Sequence, residues 1–291
     1  MRKVLGLVGA TLLVAGSASA ADLLKAPALA PAAAFSWSGC YAGINGGWIG
    51  GKNKYDLNPS GNYLNAPGGL APPNINGTGN FAVDNAALSH SYSSSPSSGE
   101  IGAQVGCNQQ FGFFVLGFEA DWQWSGLSDS VNASYGAFAN LGNPAFTDAA
   151  HSEHVTSKLD WFSTFRGRFG FTPIGMPNVL VFGTAGLVLA DVKSDTAVDF
   201  ATFPVLPVFN GATHVGSASQ VLPGAVVGGG LEWAFAPNWS VKAEYLYFKL
   251  PDLNYGSPLV SAAVPFASGY SWNTKVRMEE SVARVGLNFH F

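Results

Sequence analysis

The sequence predicts an all-β fold: an eight-stranded antiparallel up-and-down transmembrane β-barrel with long extracellular loops. Only 11% of the residues are charged and 47% are hydrophobic, whereas soluble domains usually carry about 25% charged residues. Apolar and small polar residues alternate with period two in many segments, as they do in β-strands. Beyond the N-terminal segment no apolar stretch is long enough for a transmembrane helix. In lipid, only helices and closed barrels satisfy every backbone polar group, so a barrel is expected.

The N-terminal segment, residues 1–20, is predicted to be a cleaved signal peptide. Arg2 and Lys3 precede an apolar run over residues 4–16, and Ala18-Ser19-Ala20 follows it as an A-x-A cleavage site. The run is shorter than the roughly 20 residues that span a bilayer. We therefore expect a secreted or envelope protein rather than one anchored by this helix.

The mature chain is expected to begin at Ala21. Residues 21–36 are rich in Ala and Pro and are interpreted as a periplasmic leader, and residues 37–291 as the barrel domain. Loss of the two signal-peptide cations changes the formal net charge from −4 to −6. A mildly acidic chain argues against nucleic acid as a partner.

Eight strands are predicted from the alternation. They cover residues 40–48, 100–111, 114–124, 159–171, 179–190, 224–235, 239–248 and 280–291. The first strand places Ile44 and Trp48 on one face and small polar residues on the other. The second sets aliphatic residues against Gly and Gln, and the third sets Phe and Trp against Glu119 and Asp121.

The five later strands follow the same rule with one exception. Residues 159–171 alternate aromatic residues with Thr and Arg, while residues 179–190 are apolar on both faces, so their register stays open. Residues 224–235, 239–248 and 280–291 alternate large apolar residues with Gly, Glu, Lys and Arg.

The connections alternate in length, which sets the topology. Four are long, at residues 51–98, 125–158, 191–218 and 250–277, and the three between them are tight turns. Loops beyond about 12–15 residues are uncommon in compact domains. Long loops outside and short periplasmic turns are typical of outer-membrane barrels.

The narrow interior of an eight-stranded barrel decides which face meets lipid. Such an interior holds side chains of modest size, so the Trp, Tyr and Phe faces are predicted to point outward. The alternative is a soluble lipocalin-like barrel or sandwich, which would need polar residues outside and large apolar residues inside.

The predicted inward faces carry a cluster of charges. Its members are Glu100, Glu119, Asp121, Asp160, Arg166, Arg168, Glu232, Lys242, Glu244 and Arg284. Unpaired buried charges are costly, so these groups are expected to form pairs. They are interpreted as a plug that fills the lumen and fixes the register; a gate that rearranges to pass small solutes is the alternative.

Two smaller features admit two interpretations each. His151 and His154, three residues apart in a predicted loop, are either solvated residues or a surface contact for metal or haemin. Cys40 and Cys107 share a predicted face of adjacent strands, and they are either a disulfide or two lipid-facing thiols.

Several motifs occur in the order found in one family. They read "WSGCYAGINGGWIGG", "GAQVGCNQQFGFFVLGFEADWQWSG", "LDWFSTFRGRFGFTP", "GGGLEWAFAPNWSVKAEYLYF" and "RVGLNFHF". The chain resembles the small Gram-negative outer-membrane proteins with an OmpA-like β-barrel domain, the porin-family or outer-membrane immunogenic type. It departs from the family pattern at Cys40 and Cys107, where aromatic residues are usual, and in its long first loop.

The resemblance implies location in the cell outer membrane and a role in envelope structure and surface exposure, with weak porin activity left open. The alternative that it implies is a surface protein that binds haemin or a host component, or mediates adhesion, through its loops. The partners implied are outer-membrane lipid, lipopolysaccharide and the barrel-assembly machinery. Leu287, Phe289 and Phe291 resemble the C-terminal assembly signal, and Phe291 also suits an interfacial anchor.

Motifs for catalysis are missing from the sequence. It contains no G-x-S-x-G, H-E-x-x-H or P-loop pattern. We therefore expect neither enzymatic activity nor a cofactor, and beyond the alternative interpretation of His151 and His154 no metal site is predicted.

Overall fold

The computed structural model describes residues 35–61, 85–139, 147–148, 150–202, 211–261 and 270–291. The predicted signal peptide and nearly all of the predicted leader lie outside these residues. So do residues 62–84, 140–146, 149, 203–210 and 262–269, all of which belong to the predicted long loops. Within the described residues no helix is long and apolar enough to cross a membrane.

The structure is built from antiparallel strands. They are β1 (Gly39–Gly61), β2 (His90–Ser94), β3 (Ser97–Phe111), β4 (Phe114–Tyr135), β5 (Phe138–Ala139), β6 (Thr147–Asp148), β7 (His151–Phe171), β8 (Val179–Phe200), β9 (Thr213–Ala236), β10 (Trp239–Lys249), β11 (Leu253–Ser261) and β12 (Tyr270–His290). β5 and β6 form a separate two-stranded sheet, and the other ten strands form one sheet.

The ten-stranded sheet closes on itself. β12 pairs with both β1 and β10, which joins β1, β3, β4, β7, β8, β9, β10 and β12 into a ring of eight. β2 pairs with β1 beyond the end of β3, and β11 pairs with β12 beyond the end of β10. These two strands extend members of the ring, so the predicted eight-stranded up-and-down barrel is confirmed.

We call the two ends of the barrel the turn end and the loop end. The turn end carries the two chain termini of the ring, the turn at Gly112 and Phe113, and the connections at residues 172–178 and 237–238. Gly112 has a φ of 62°, a left-handed conformation that glycine adopts without steric strain. The loop end carries the remaining connections.

In the half of the barrel nearer the turn end, the large apolar side chains point outward as predicted. Ile44 is 67% exposed and Trp124 is 60% exposed. In the strands from this half, the alternate residues point inward and include the buried charges. The open register of the fifth predicted strand is settled by Leu180 and Phe182, which are buried inside.

In the half nearer the loop end, the polarity is reversed. On β1, Lys52 and Lys54 point outward while Tyr55 and Leu57 are fully buried. The interior holds one apolar cluster that includes Leu159 from β7, together with residues of β4, β8, β9, β10, β11 and β12. This half therefore has the pattern of a water-soluble barrel.

The strands run further toward the loop end than the sequence analysis predicted. Residues 51–61, 125–135, 151–158 and 191–200 were predicted to be loops, yet they continue β1, β4, β7 and β8. Their Gly, Asn and Ser content suggested loops, but several of their inward residues, such as Leu57, Leu127 and Val155, are apolar and pack together. The predicted loop boundaries were wrong for this reason.

The turn end of the interior is closed by the chain that precedes β1. Trp37 is fully buried there, and it packs in an apolar cluster with Val115, Leu180 and Phe182. Its indole N–H donates to the carbonyl oxygen of Pro177 at 3.0 Å. A polar indole group that is buried needs such a partner.

Candidate functional site

The charged groups of the turn-end half meet inside the barrel because the strands alternate in and out. Glu119 and Asp121 lie two residues apart on β4, and Arg166 and Arg168 lie two residues apart on β7, so each pair shares the inward face. β9, β10 and β12 add the remaining members. We call this set the lumen network: Glu119, Asp121, Arg166, Arg168, Glu232, Lys242, Glu244 and Arg284.

Arg166 is the centre of the lumen network. Its Nη1 donates to Glu244 at 2.6 Å, and its Nη2 donates to Asp121 at 2.9 Å and also to Glu119. Arg284 donates to Asp121 and to Glu244, both at 2.8 Å. The two guanidinium groups thus share the carboxylates of Asp121 and Glu244.

The rest of the lumen network lies nearer the turn end. Lys242 donates to both carboxylate oxygens of Glu119 at 2.7 Å, and Tyr41 donates to Glu119 at 2.5 Å. Arg168 donates to Glu232 at 2.7 Å, and its guanidinium carbon lies 4.0 Å from the ring centroid of Phe182. Every cation of the lumen network therefore has a carboxylate partner.

The charges of the lumen network are balanced. Four carboxylates face four cations, and the side chains of all eight groups are almost entirely hidden from solvent. A buried charge is tolerated only when it is paired and hydrogen-bonded. The balance is what a static plug requires.

A glycine allows the wall to close beside the lumen network. A Cβ atom added to Gly186 on β8 would lie 2.0 Å from the carbonyl oxygen of Phe165 and 2.7 Å from the Cα atom of Arg166. Any other residue would push β7 and β8 apart at the level of the central guanidinium.

Two carboxylates of the interior stay outside the lumen network. Glu100 was predicted to belong to the charge cluster and is indeed buried, but neither of its carboxylate oxygens has a hydrogen-bond partner. Glu280, fully buried on β12, is in the same situation. Glu100 lies at the level of Arg284, since both residues pair with Gly47 on β1, whereas Glu280 lies on β12 between Val282 and Met278 of the apolar cluster.

The predicted inward placement of Asp160 was wrong. The pairing of β7 with β8 shifts by one residue between Leu159 and Trp161, and Asp160 is the residue left over. This bulge reverses the alternation, so Leu159 points inward and Asp160 points outward. Asp160 pairs with Lys193 on the barrel surface at 2.5 Å.

The two cysteines form a disulfide. Cys40 on β1 lies directly opposite Cys107 on β3, with 4.0 Å between the Cα atoms. The sequence predicted that Cys40 and Cys107 share one face of adjacent strands. It did not decide whether they form a disulfide or remain two thiols.

The C-terminal residues Leu287, Phe289 and Phe291 point outward at the turn end. The backbone N–H of Phe291 donates to the carbonyl oxygen of Cys40 at 3.0 Å, which ties the C-terminus to β1. Their placement suits a membrane-interface anchor, and the assembly-signal role stays a prediction.

His151 and His154 lie on the same strand, β7, but their side chains point to opposite sides of the barrel wall, so they do not form the predicted pair. Residues three apart on a strand lie on opposite faces, so His154 points outward and bonds Asn132, whereas His151 points inward. His151 meets Glu153 and, from β2, His90. We call His90, His151 and Glu153 the loop-end cluster.

The loop-end cluster is enclosed by tyrosines. Tyr92 donates to Glu153 at 2.5 Å and shares a hydrogen bond of 2.7 Å with Tyr135. Burial alone would raise the pKa of Glu153, but the polar groups of His151, His90 and Tyr92 that face it lower this pKa to about 2. Sequence reasoning missed His90 and Glu153 because they are 63 residues apart and lie on strands that are not adjacent.

A second polar group lies deeper in the loop-end half. Tyr55 donates to Asp129 at 2.6 Å and lies 2.6 Å from the hydroxyl of Ser157. Burial, followed by the hydrogen bond to Asp129, raises the pKa of Tyr55. This tyrosine is therefore neutral and acts as a hydrogen-bond donor.

A closed barrel with an apolar outer belt and an ionic interior defines a class, the outer-membrane β-barrel proteins. Comparison with known proteins gives the family. The chain is 32% identical over 283 residues, which is 95% of both chains, to the 31 kDa outer-membrane immunogenic protein of Brucella melitensis biotype 1. It is 29% identical over 177 residues to the 22 kDa outer membrane protein of Rhizobium leguminosarum bv. viciae, covering 60% of this chain and 62% of that one.

The chain belongs to the family of outer-membrane immunogenic proteins and is located in the outer membrane, as its motifs predicted. No family model matches it. Among solved structures, the outer membrane protease OmpT from Escherichia coli is similar at 12% identity with a TM-score of 0.43, covering 88% of this chain and 98% of that one. The OmpA-like and porin labels stay predictions.

Proposed function

We propose that this protein is a structural barrel of the outer membrane that supports the envelope and exposes its loop-end half at the cell surface. The main support for this proposal is that side chains fill the interior of the barrel. Trp37 closes the turn end, the lumen network occupies the middle, and the apolar cluster fills the loop-end half. Eight-stranded barrels have little interior space to begin with.

The lumen network acts as a plug in this proposal. A gate would need charges that lose their partners at small expense, whereas Arg166 and Arg284 hold the same two carboxylates. Moving either guanidinium leaves a buried carboxylate short of a cation, which is strongly unfavourable.

Conductance separates the plug from a pore. The mature chain, refolded in detergent, is inserted into a planar bilayer, and the boiled and unfolded sample in the same detergent serves as the control. We expect the folded protein to give no regular conductance steps beyond those of the control. Reproducible steps of one size would refute the plug and favour a porin.

The polar outer wall of the loop-end half suits exposure to water. Ser130 and His154 point outward there, and a relative in Brucella melitensis is named an outer-membrane immunogenic protein. Both native cysteines are in the disulfide, so an introduced thiol can be labelled against no background.

Two single-cysteine variants test this orientation. Ser130→Cys places a thiol on the loop-end wall, and Ile174→Cys places one in a fully exposed turn of the turn end. We expect an impermeant maleimide to label the first variant in intact cells and the second only after the outer membrane is permeabilised. The reverse pattern would overturn the orientation.

Lipopolysaccharide and the barrel-assembly machinery are proposed partners. Where the outer wall changes from apolar to polar, Trp48 and Tyr247 lie beside Lys52 and Glu279 along one surface groove. Aromatic rings next to lysine suit the interface where lipid headgroups carry phosphates. Lysine-to-glutamine substitution at Lys52 should weaken binding of lipopolysaccharide without changing the fold.

A further inference from the structure

We propose that the loop-end cluster is a binding site for a divalent transition-metal ion of the Zn²⁺ type, held by His90, His151 and Glu153. Two imidazoles and one carboxylate form a donor set common in zinc sites. One potential ligand atom from each residue lies within 4.8 Å of the others. The proposal does not depend on the structural role proposed above.

The distances between the candidate ligand atoms are similar to those in a metal site. His90 Nδ1 lies 2.9 Å and His151 Nε2 lies 3.5 Å from the same carboxylate oxygen, Glu153 Oε1. In a tetrahedral zinc site with bonds of about 2.0–2.2 Å, ligand atoms are about 3.4 Å apart. Small rotations of the two imidazole rings would bring the three atoms to the spacing that an ion requires.

The environment of His151 supports a metal site independently of the distances. Its side chain is completely buried, it is aimed at Glu153, and neither ring nitrogen makes a hydrogen bond. Buried polar atoms without partners are rare in folded proteins. A metal ion bound to Nε2 would supply the missing partner.

The surrounding residues hold the three candidate ligands in place through hydrogen bonds and ring stacking, as the neighbours of metal ligands do. Tyr92 holds the other carboxylate oxygen of Glu153 at 2.5 Å, which leaves Oε1 for the ion. The Tyr135 ring stacks on both imidazoles, with its centroid 3.9 Å from that of His90 and 4.9 Å from that of His151. The stacking therefore restricts the ring orientations before an ion binds.

An ion can reach this site from outside. His90 keeps 19% of its side chain exposed while the other two ligands are hidden. Zinc sites with three protein ligands take water at the fourth position, and the exposed side of His90 provides that position. The ion would connect β2 to β7, two strands that do not pair with each other in the sheet.

The test is a titration of the full mature chain, made without a histidine tag and refolded in detergent. Co²⁺ serves as the probe because its visible absorption is intense in tetrahedral sites, and Zn²⁺ is added afterwards as a competitor. We expect one Co²⁺ per chain and displacement by Zn²⁺. Wild-type protein that binds no Co²⁺ or Zn²⁺ under these conditions would overturn the proposal.

Three variants locate the site. His151→Ala and Glu153→Gln should each weaken Co²⁺ binding by at least about tenfold. His154→Ala is the matched control, because His154 lies on the same strand but points outward, and it should bind as the wild type does. Unchanged binding in both ligand variants, or loss in the His154 control alone, would contradict the assignment.

Folding of each variant is checked separately by the shift of the unboiled band on a gel. If His151→Ala fails to fold, Glu153→Gln decides alone, since it keeps the shape of the side chain and removes only the charge. A further readout is thermal unfolding of the wild type, which Zn²⁺ should raise and a chelator should return to the metal-free value.

Discussion

Arg284→Ala is the sharpest test of the lumen network. Arg284 is buried, and its guanidinium donates three hydrogen bonds, two to Glu244 and one to Asp121, at 2.8–3.0 Å. Removing it leaves four carboxylates against three cations in the closed interior. Loss of one partner of a buried pair usually costs about 3–5 kcal/mol.

The position of Arg166 sets the value within that range. It continues to hold Asp121 at 2.9 Å and Glu244 at 2.6 Å after Arg284 is removed. Neither carboxylate is stripped of all its partners, so we expect a loss of free energy of unfolding near the lower end, about 3 kcal/mol.

Urea unfolding in detergent micelles, followed by tryptophan fluorescence, measures the change. Lys193→Ala is the matched control, because Lys193 and Asp160 pair on the surface with nearly half of each side chain exposed; it should change the free energy by less than about 1 kcal/mol. Combining Arg284→Ala with Glu244→Gln restores the charge balance and should recover part of the loss. If Arg284→Ala is as harmless as Lys193→Ala, the lumen network does not stabilise the barrel.

Three further predictions concern the disulfide, Glu280 and Gly186. Replacing Cys40 and Cys107 by serine should lower the free energy of unfolding by up to about 4 kcal/mol, the chain-entropy value for a disulfide whose cysteines are 67 residues apart, and a shift in urea midpoint equal to that of reduced wild type would support this. At a pH high enough to ionise the Glu280 carboxyl, Glu280→Gln should raise the free energy of unfolding by roughly 1 kcal/mol, because it then removes a buried charge without hydrogen-bond partners; a lower free energy would indicate a partner. Gly186→Ala should destabilise by about 1–3 kcal/mol since its Cβ would meet a backbone oxygen at 2.0 Å, whereas Gly183→Ala on the same strand, with 4.0 Å of clearance, should not.

The turn-end half could be predicted from the sequence because its alternation is unusual. Large aromatic residues that alternate with charged or very small ones fit only a barrel with lipid outside, and Glu119, Arg166 and Lys242 lie inside as that pattern requires. Asp160 was misplaced because a one-residue bulge reverses the alternation locally. No simple periodicity reveals where such a bulge falls.

The loop-end half was missed although its sequence alternates too. In "KNKYDLN", Lys52 and Lys54 alternate with Asn53, Tyr55 and Leu57, which is the ordinary pattern of a strand with water outside. In the turn-end half the outward residues are apolar, whereas in this segment they are polar. The segment therefore resembled a polar loop rather than a continuation of the strand. The loop-end cluster could not be predicted from the sequence, since only the closed barrel brings His90 on β2 within hydrogen-bond distance of Glu153 on β7.

The reversal of polarity along single strands marks where lipid ends, and one strand can test it. Ala120 and Ser128 both point outward on β4, the first between Phe118 and Trp122 in the apolar belt and the second beyond Trp124 in the loop-end half. A lysine on the lipid face of a barrel costs about 2–4 kcal/mol near the bilayer midplane and about 0–1 kcal/mol near the interface. We therefore expect Ala120→Lys to lower the free energy of unfolding in lipid vesicles by at least about 2 kcal/mol and Ser128→Lys to leave it nearly unchanged. Equal effects of the two substitutions would mean that the change from apolar to polar outer wall is not the membrane boundary, because only a change of solvent from hydrocarbon to water separates the two sites.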